Sequence, residues 1–383
     1  MVKKLPALIV TIFIVFGFIA APTLGANGNS KKRVIADTTS FLTKMLYRIQ
    51  DCGIVHELND ATAFECPPAV AARYNLRDDR IFNIVDLVAD RQIGADLVWP
   101  NGTGKGIVIA VLDTGVDYTH SELSTSIAGG RSFVSYTPYY LDDNGHGTHV
   151  AGIITADGIN NGGRSKGVAP DAQIWAAKVC DSGGSCWESD IAIAIEHVVN
   201  NGLARVMSIS LGGGGTGGPN CDTDYLARKV NWASKNGVVV AAAAGNTGAV
   251  VSSPACASEA IAVGAVDSTD VLATFSGRGK ALDIVAPGVG IYSTLPDGGY
   301  ASWSGTSMST PVVSGTIALL FEKSNSYTVA QVKSALYNTA INLGYSSRDQ
   351  GNGRVNALGA YGYNPSSGNS SGCPSGRGKK GQC

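Results

Sequence analysis

The feature that most limits how this chain can fold is a series of short, almost continuous apolar runs separated by segments with helical spacing. The runs are GIVIAVLD (106–113), AQIWAAKVC (172–180), RVMSISLGG (205–213), VVVAAAAGN (238–246), IAVGAV (261–266) and LDIVAPG (282–288). A strand that is apolar at nearly every position has both faces covered, as in a parallel sheet held between two layers of helices. Between the runs lies SDIAIAIEHVVNNG (189–202), where Ile191, Ile195 and Val198 share one helical face. DYLARKVNWASKNG (224–237) ends at a glycine stop. HVAGIITA opens another helix, and MSTPVVSGTIALLFEK (308–323) reads as a helix apolar on most faces and therefore buried. The alternation predicts an α/β fold, a three-layer domain with a mostly parallel central sheet, over residues 93–363. Such sheets place their sites at the carboxyl ends of the strands.

The flanks read differently. Lys3 and Lys4 precede the apolar run ALIVTIFIVFGFIAAP (7–22), and Gly25 and Ala26 follow it. This is the charged start, apolar core and small-residue end of a signal peptide, residues 1–26. The run is short for a bilayer span and no later segment is longer, so the expectation is a secreted protein without stable membrane association. Residues 27–92 are richer in charge and predict a small α+β module. The tail, 364–383, is rich in glycine and serine and reads as a flexible extension. A net charge of −1 argues against a nucleic-acid partner. Eight cysteines without a CxxC pair fit an oxidising compartment. They fall in even clusters, which makes pairing within clusters the simplest framework: Cys52–Cys66, Cys180–Cys186, Cys221–Cys256 and Cys373–Cys383.

Three motifs carry chemistry. DDNGHGTHVAGII (142–154) sets His146 and His149, two of only five histidines, at a helix start. HGTH lacks the glutamate of the zinc motif HExxH, so His149 reads as a packing or hydrogen-bonding residue and His146 as a base. AVLDTGVD puts Asp113 just past an apolar strand, and SGTSMSTPVVSG puts Ser307 where a loop enters a buried helix. An acid, an imidazole and a hydroxyl are the parts of a serine nucleophile activated by an oriented base, which predicts one ring nitrogen of His146 on Ser307 and the other on Asp113. Gly145 and Gly147 leave room for close backbone approach. Pro311 reads as a first-turn proline, where an N–H is dispensable. The order Asp, His, Ser and the absence of a GxSxG elbow around Ser307 argue against an α/β-hydrolase.

Together with SISLGG and AAAAGN, these motifs resemble, in content and order, the subtilisin family of serine endopeptidases made as secreted precursors. The resemblance spans residues 93–363. It implies Asp113 as orienting carboxylate, His146 as general base, Ser307 as nucleophile and Asn246 as an oxyanion donor beside the Ser307 N–H. It also implies that Ser210, Leu211, Gly212 and Gly213 pair with the substrate backbone. Ala243, Ala244 and Gly245, with VSSP (251–254), would wall the pocket for the side chain before the scissile bond. Small residues suggest a roomy apolar pocket, and no acidic residue is expected to line it. Glu122 and Asn161, the latter in DGINNGG (157–163), become candidate ligands of a structural Ca²⁺, against the plainer reading of a polar turn. No cofactor is expected for catalysis. Residues 27–92 would be a propeptide acting as intramolecular inhibitor, joined to the peptidase between Arg80 and Gln92. Protein and peptide substrates and a monomeric state are expected. A non-catalytic relative would have lost a triad or oxyanion residue, and none is lost. A serine esterase with the same triad is separable by comparing ester with peptide substrates.

Overall fold

The computed structural model describes residues 31–57, 61–78, 88–213 and 218–364. The signal-peptide reading, the Cys373–Cys383 pair, nearly all of the tail and most of the 80–92 junction lie outside these residues. The chain divides into two compact units, Met1–Asn83 and Ile84–Cys383.

In the first unit, strands β1 (Lys32–Ala36), β2 (Gly53–Glu57), β3 (Thr62–Cys66) and β4 (Arg77–Asp78) form an antiparallel sheet in the order β2-β3-β1-β4. Helices α1 (Phe41–Ile49) and α2 (Pro68–Arg73) accompany it. Val34, Tyr47, Phe64 and Ala71 make a small core, and the Cys52–Cys66 disulfide adds to it.

The second unit opens with α3 (Val88–Ile93), followed by β5 (Val108–Asp113), β6 (Ile127–Ser132), α4 (His146–Thr155), β7 (Gln173–Lys178), α5 (Glu188–Asn200) and β8 (Val206–Ile209). Next come α6 (Tyr225–Lys235), β9 (Val239–Ala243), β10 (Ile261–Val266), β11 (Ile284–Pro287), β12 (Ile291–Leu295) and β13 (Gly299–Trp303). Helices α7 (Thr306–Lys323), α8 (Val329–Thr339), α9 (Ser347–Gln350) and α10 (Ala357–Gly362) complete it. Seven strands form one sheet in the order β11-β10-β9-β8-β5-β7-β6, and every neighbouring pair is parallel.

The alternation of side chains along each strand explains the apolar runs. In β5, Ile109 and Val111 join the core shared with α4 and α7, while Ala110 and Leu112 join the core shared with α5 and α6. Val239 and Ala241 of β9 face the first layer, Val240 and Ala242 the second. The sheet is therefore sandwiched, as expected. Helix α7 is buried on nearly every side from Thr306 to Phe321, so it shows no polar face. It begins two residues earlier than the sequence suggests, which moves Pro311 from the first turn into the second. Two elements escape the apolar pattern: the glycine-rich edge strand β6 (IAGGRS) and the antiparallel β12–β13 hairpin. Disulfides Cys180–Cys186 and Cys221–Cys256 form within this unit. Among the described residues no helix is long and apolar enough to cross a membrane.

Candidate active site

The carboxyl ends of β5, β8 and β9 open into a cleft of about 940 Å³, lined by Asp113, His146, Asn246 and Ser307 among others. Asp113 is the last residue of β5 and is buried. Its Oδ1 accepts the Thr114 N–H at 2.7 Å and meets His146 Nδ1 at 2.8 Å. His146 begins α4, and the approach of that helix to β5 depends on Gly147. A Cβ at 147 would stand 2.0 Å from the Gly115 carbonyl oxygen.

The frame that holds this approach rests on a residue the sequence did not single out. Asp142 Oδ1 accepts from Thr114 Oγ1 (2.8 Å), Asn144 N (3.0 Å) and Gly145 N (2.9 Å). Its Oδ2 accepts from the Thr148 N–H (2.8 Å) and Oγ1 (2.6 Å). A carboxylate is thus spread over the free N–H groups at the start of α4, where the helix dipole favours negative charge. Thr114 Oγ1 in turn accepts the Gly147 N–H at 2.9 Å. Beneath lies Lys178, fully buried and paired in register with Asp113; its Nζ donates to the Thr114 carbonyl (2.5 Å) and to Asp143 Oδ1 (2.6 Å). Lysine is rarely buried without a charge partner, and Asp143 is that partner.

The two histidines of the motif have opposite electrostatics. Burial alone would lower the His146 pKa, but the charge and hydrogen bond of Asp113, with a smaller contribution from Asp142, hold it above the ordinary 6.5. His149 is driven down to about 4, by burial first. It stacks on Trp303 with centroids 4.6 Å apart, and its Nε2 faces the Ala301 carbonyl at 3.0 Å. His149 is thus the structural member of the pair, as its spacing suggested. His120 is also buried, edge-on to Tyr300, outside the cleft.

Ser307 lies in the first turn of α7. The expected hydrogen bond to the His146 ring is not formed. Ser307 Oγ donates to the Ser210 carbonyl at 3.0 Å, and Ser210 Oγ donates to the Ser307 carbonyl at 2.9 Å. Pro311 explains the second bond. Four residues beyond Ser307, it has no N–H to give the Ser307 carbonyl, so the Ser210 hydroxyl fills the gap. A seryl hydroxyl moves between staggered positions about its Cα–Cβ bond, so the first bond is one of the rotamers open to it. Asn246 Oδ1 accepts from Thr306 N (2.8 Å) and Oγ1 (2.9 Å), which fixes the amide and leaves Nδ2 as its donor end.

Ser210, Leu211, Gly212, Gly213, Ala243 and Gly245 line the cleft, with Ser252 and Ser253. Ala244 does not: strand alternation turns its side chain into the core between the sheet and α5/α6. The expectation of a pocket without acidic residues is also corrected, because Asp224 and Glu188 line the same cleft. Asp224 arrives there as the N-cap of α6, a place that a loop of unknown path hid in the sequence.

Glu122 is fully buried. Its Oε1 accepts from Asn160 N (3.0 Å) and Tyr300 Oη (3.0 Å), while Oε2 has no hydrogen-bond partner. Burial, then the neighbouring Asp157 carboxyl group, raises its pKa. An orphaned carboxylate oxygen beside a second carboxyl group fits a hard cation. The Asn161 carboxamide is engaged with Ser165 inside its own loop. Among the described residues no three His, Cys, Asp or Glu side chains cluster as a metal cage.

A parallel α/β sandwich whose strand ends present an Asp–His pair beside a helix-borne serine is the architecture of a serine hydrolase. The chain belongs to the subtilase family, whose model matches residues 104–363. It is similar to Subtilisin Savinase of Lederbergia lenta, 47% identical over 67% of this chain and 90% of that protein. An alkaline protease of Alkalihalobacillus alcalophilus is 46% identical over 86% of this chain and 84% of its own. Subtilisin E of Bacillus subtilis (strain 168) is 44% identical over 70% and 69%. Among solved structures, a cold-adapted subtilisin-like serine proteinase matches with a TM-score of 0.58 and 34% identity, over 67% of this chain and 89% of that one. The protein is a subtilisin-like serine endopeptidase.

Proposed function

We propose that Asp113, His146 and Ser307 hydrolyse peptide bonds through an acyl-enzyme, and that the chain is made as a secreted, self-processing precursor. The observation that carries the reading is the 2.8 Å contact between His146 Nδ1 and Asp113 in a cleft that also holds Ser307. With Nδ1 committed to Asp113, Nε2 is free to take the Ser307 proton as Oγ bonds to the substrate carbonyl carbon. Asp113 stabilises the imidazolium formed. The carbonyl oxygen becomes an oxyanion, for which Asn246 Nδ2 and the Ser307 N–H are the donors, the latter without an intrahelical acceptor in the first turn. His146 then returns the proton to the leaving amine as the C–N bond breaks. Water, deprotonated by the same ring, releases the acyl group and restores Ser307. No cofactor enters these steps.

In this reading residues 1–26 direct secretion, 27–92 fold as an inhibitory propeptide, 93–363 form the peptidase and 364–383 are a tail. A structural Ca²⁺ would rest on Glu122 and the 157–163 loop, holding loops and doing no chemistry. The test is to express wild type and Ser307→Ala in a host lacking other proteases. Wild type should separate into two fragments, take up a fluorophosphonate on Ser307 and digest unfolded protein. Ser307→Ala should accumulate uncut and unlabelled. Cleavage of pure Ser307→Ala between Arg80 and Gln92 would refute self-processing, and hydrolysis surviving in it would refute the nucleophile.

A further inference from the structure

We propose that Asp224 makes this cleft selective for peptides with a cationic side chain, arginine or lysine, immediately before the scissile bond. The inference rests on the peptidase reading above and names the substrate class of the same site.

The pocket walls meet around Gly212. A Cβ there would lie 3.0 Å from the Ser253 carbonyl oxygen and 3.3 Å from Ser252 Cβ, and Gly213 N–H donates to that same Ser253 carbonyl at 2.9 Å. The segment after β8 and the segment around Ser252 and Ser253 therefore join as one continuous wall, and their small side chains line the cleft without filling it. Asp224 stands behind one wall: the Ser253 hydroxyl donates to Asp224 Oδ1 at 2.5 Å, and Asp224 is itself a lining residue. The same Oδ1 accepts the Ala227 N–H at 3.0 Å, which caps α6. Oδ1 is thus saturated by structural work. Oδ2 takes no hydrogen bond from the described residues and is not a buried orphan, and the residue is half-buried at the cleft wall.

Among the described residues no lysine or arginine forms an ion pair with this carboxylate. Arg228 donates to the Thr223 carbonyl and lies over the Tyr225 ring, and Lys229 pairs with Glu196. Among the described lining residues there are three carboxylates, Asp113, Glu188 and Asp224, and no lysine or arginine. Asp113 is committed to His146. An unpaired carboxylate beside a roomy, small-walled pocket favours a long side chain that carries its charge at the end. Apolar walls suit the methylene stem of arginine or lysine, and Oδ2 suits the charged head.

The alternative is that Asp224 only caps a helix. Asp224→Asn separates the two roles, because asparagine caps as well as aspartate but carries no charge. The readout is the ratio of kcat/KM for two matched peptides, one with arginine and one with citrulline, its neutral isostere, before the scissile bond. Wild type should prefer arginine, and added salt should shrink the preference. In Asp224→Asn the arginine-to-citrulline ratio should fall by roughly tenfold to a hundredfold, the worth of a hydrogen bond to a charged group. An unchanged ratio in the variant, or a wild type that favours citrulline, overturns the proposal; the wild-type comparison stands even if the variant fails to fold. A leucine peptide reports separately on the peptidase: if wild type cleaves none of the three, the catalytic reading fails, whereas cleavage of all three at matched rates sinks only the role of Asp224.

Discussion

Lowering the pH from 7.5 to 4 should place a proton on a residue that the fold holds uncharged. His149 is fully buried, its ring lies flat against Trp303 and its Nε2 is spent on the Ala301 carbonyl. Nδ1 makes no hydrogen bond, and the backbone carbonyls of Ala301 and Ile291 offset only part of the cost of burying a charged ring. The fold therefore holds the pKa near 4, against 6.5 for an exposed imidazole. Between these values the unfolded chain binds the proton and the native one does not. Stability must then fall as the pH drops through 6.5, and the loss is complete near 4, below which both states are protonated. At about 1.4 kcal/mol per pH unit, the interval from 6.5 to about 4 amounts to about 3 kcal/mol. That is a large part of the stability of an ordinary domain, about 5–15 kcal/mol. The assay is urea unfolding of Ser307→Ala, which cannot digest itself, at several pH values from 7.5 to 4. The same protein carrying His149→Gln provides the comparison, since it subtracts every other titrating group. The two proteins should differ in their pH dependence by about 3 kcal/mol. Parallel curves, or a His149 ring resonance that titrates near 6.5, would show the reasoning to be wrong.

Because Asp113 holds the His146 pKa above 6.5, kcat/KM should decline on acidification with its half-point above 6.5, as the base is lost to protonation; a half-point at or below that value contradicts the ion pair. Asn246→Ala should lower kcat by about 10²–10³, a magnitude measured for a subtilisin asparagine in this role, with KM changing far less. A chelator should lower the melting temperature and hasten self-digestion while initial rates persist, because a cation that binds only the folded state stabilises by mass action. Calorimetry that shows no shift with added Ca²⁺ would refute the cation site at Glu122.

The sheet was legible because its strands are covered on both sides, which turns burial into unbroken apolar runs. The same logic hides β6, an edge strand made largely of glycine and polar residues, and the β12–β13 hairpin, which carries Tyr292, Ser293 and Ser302 among its paired positions. Asp113, His146 and Ser307, which line one cleft, stood out in the sequence because each sits in a short motif with its own backbone constraint. Thr114 and Lys178 did not, since their partners come from segments tens of residues away; Asp142 has partners close by in the chain, but its side chain reaches their N–H groups only once its loop has closed on the start of α4. Ala243 and Ala244 show how local the limit can be: one residue of strand alternation separates the cleft from the core. The place of Pro311 was misjudged for a similar reason, because a helix start off by two residues changes which carbonyl the proline leaves unbonded.

That proline has a consequence for anyone tempted to improve the protein. A proline inside a buried helix looks like an obvious fault, and replacing it by alanine would ordinarily recover about 3 kcal/mol of helix propensity. Here the restored N–H of Pro311→Ala would point at the Ser307 carbonyl, the acceptor that the Ser210 hydroxyl now occupies. Repairing the helix would set a second donor against Ser210 at that carbonyl and weaken one of the two hydrogen bonds that tie the substrate-facing segment to the nucleophile's own turn. A thermostability screen could reward such a change while an activity screen discards it. The irregularity at position 311 works as a fastening between two parts of the cleft that share no covalent link.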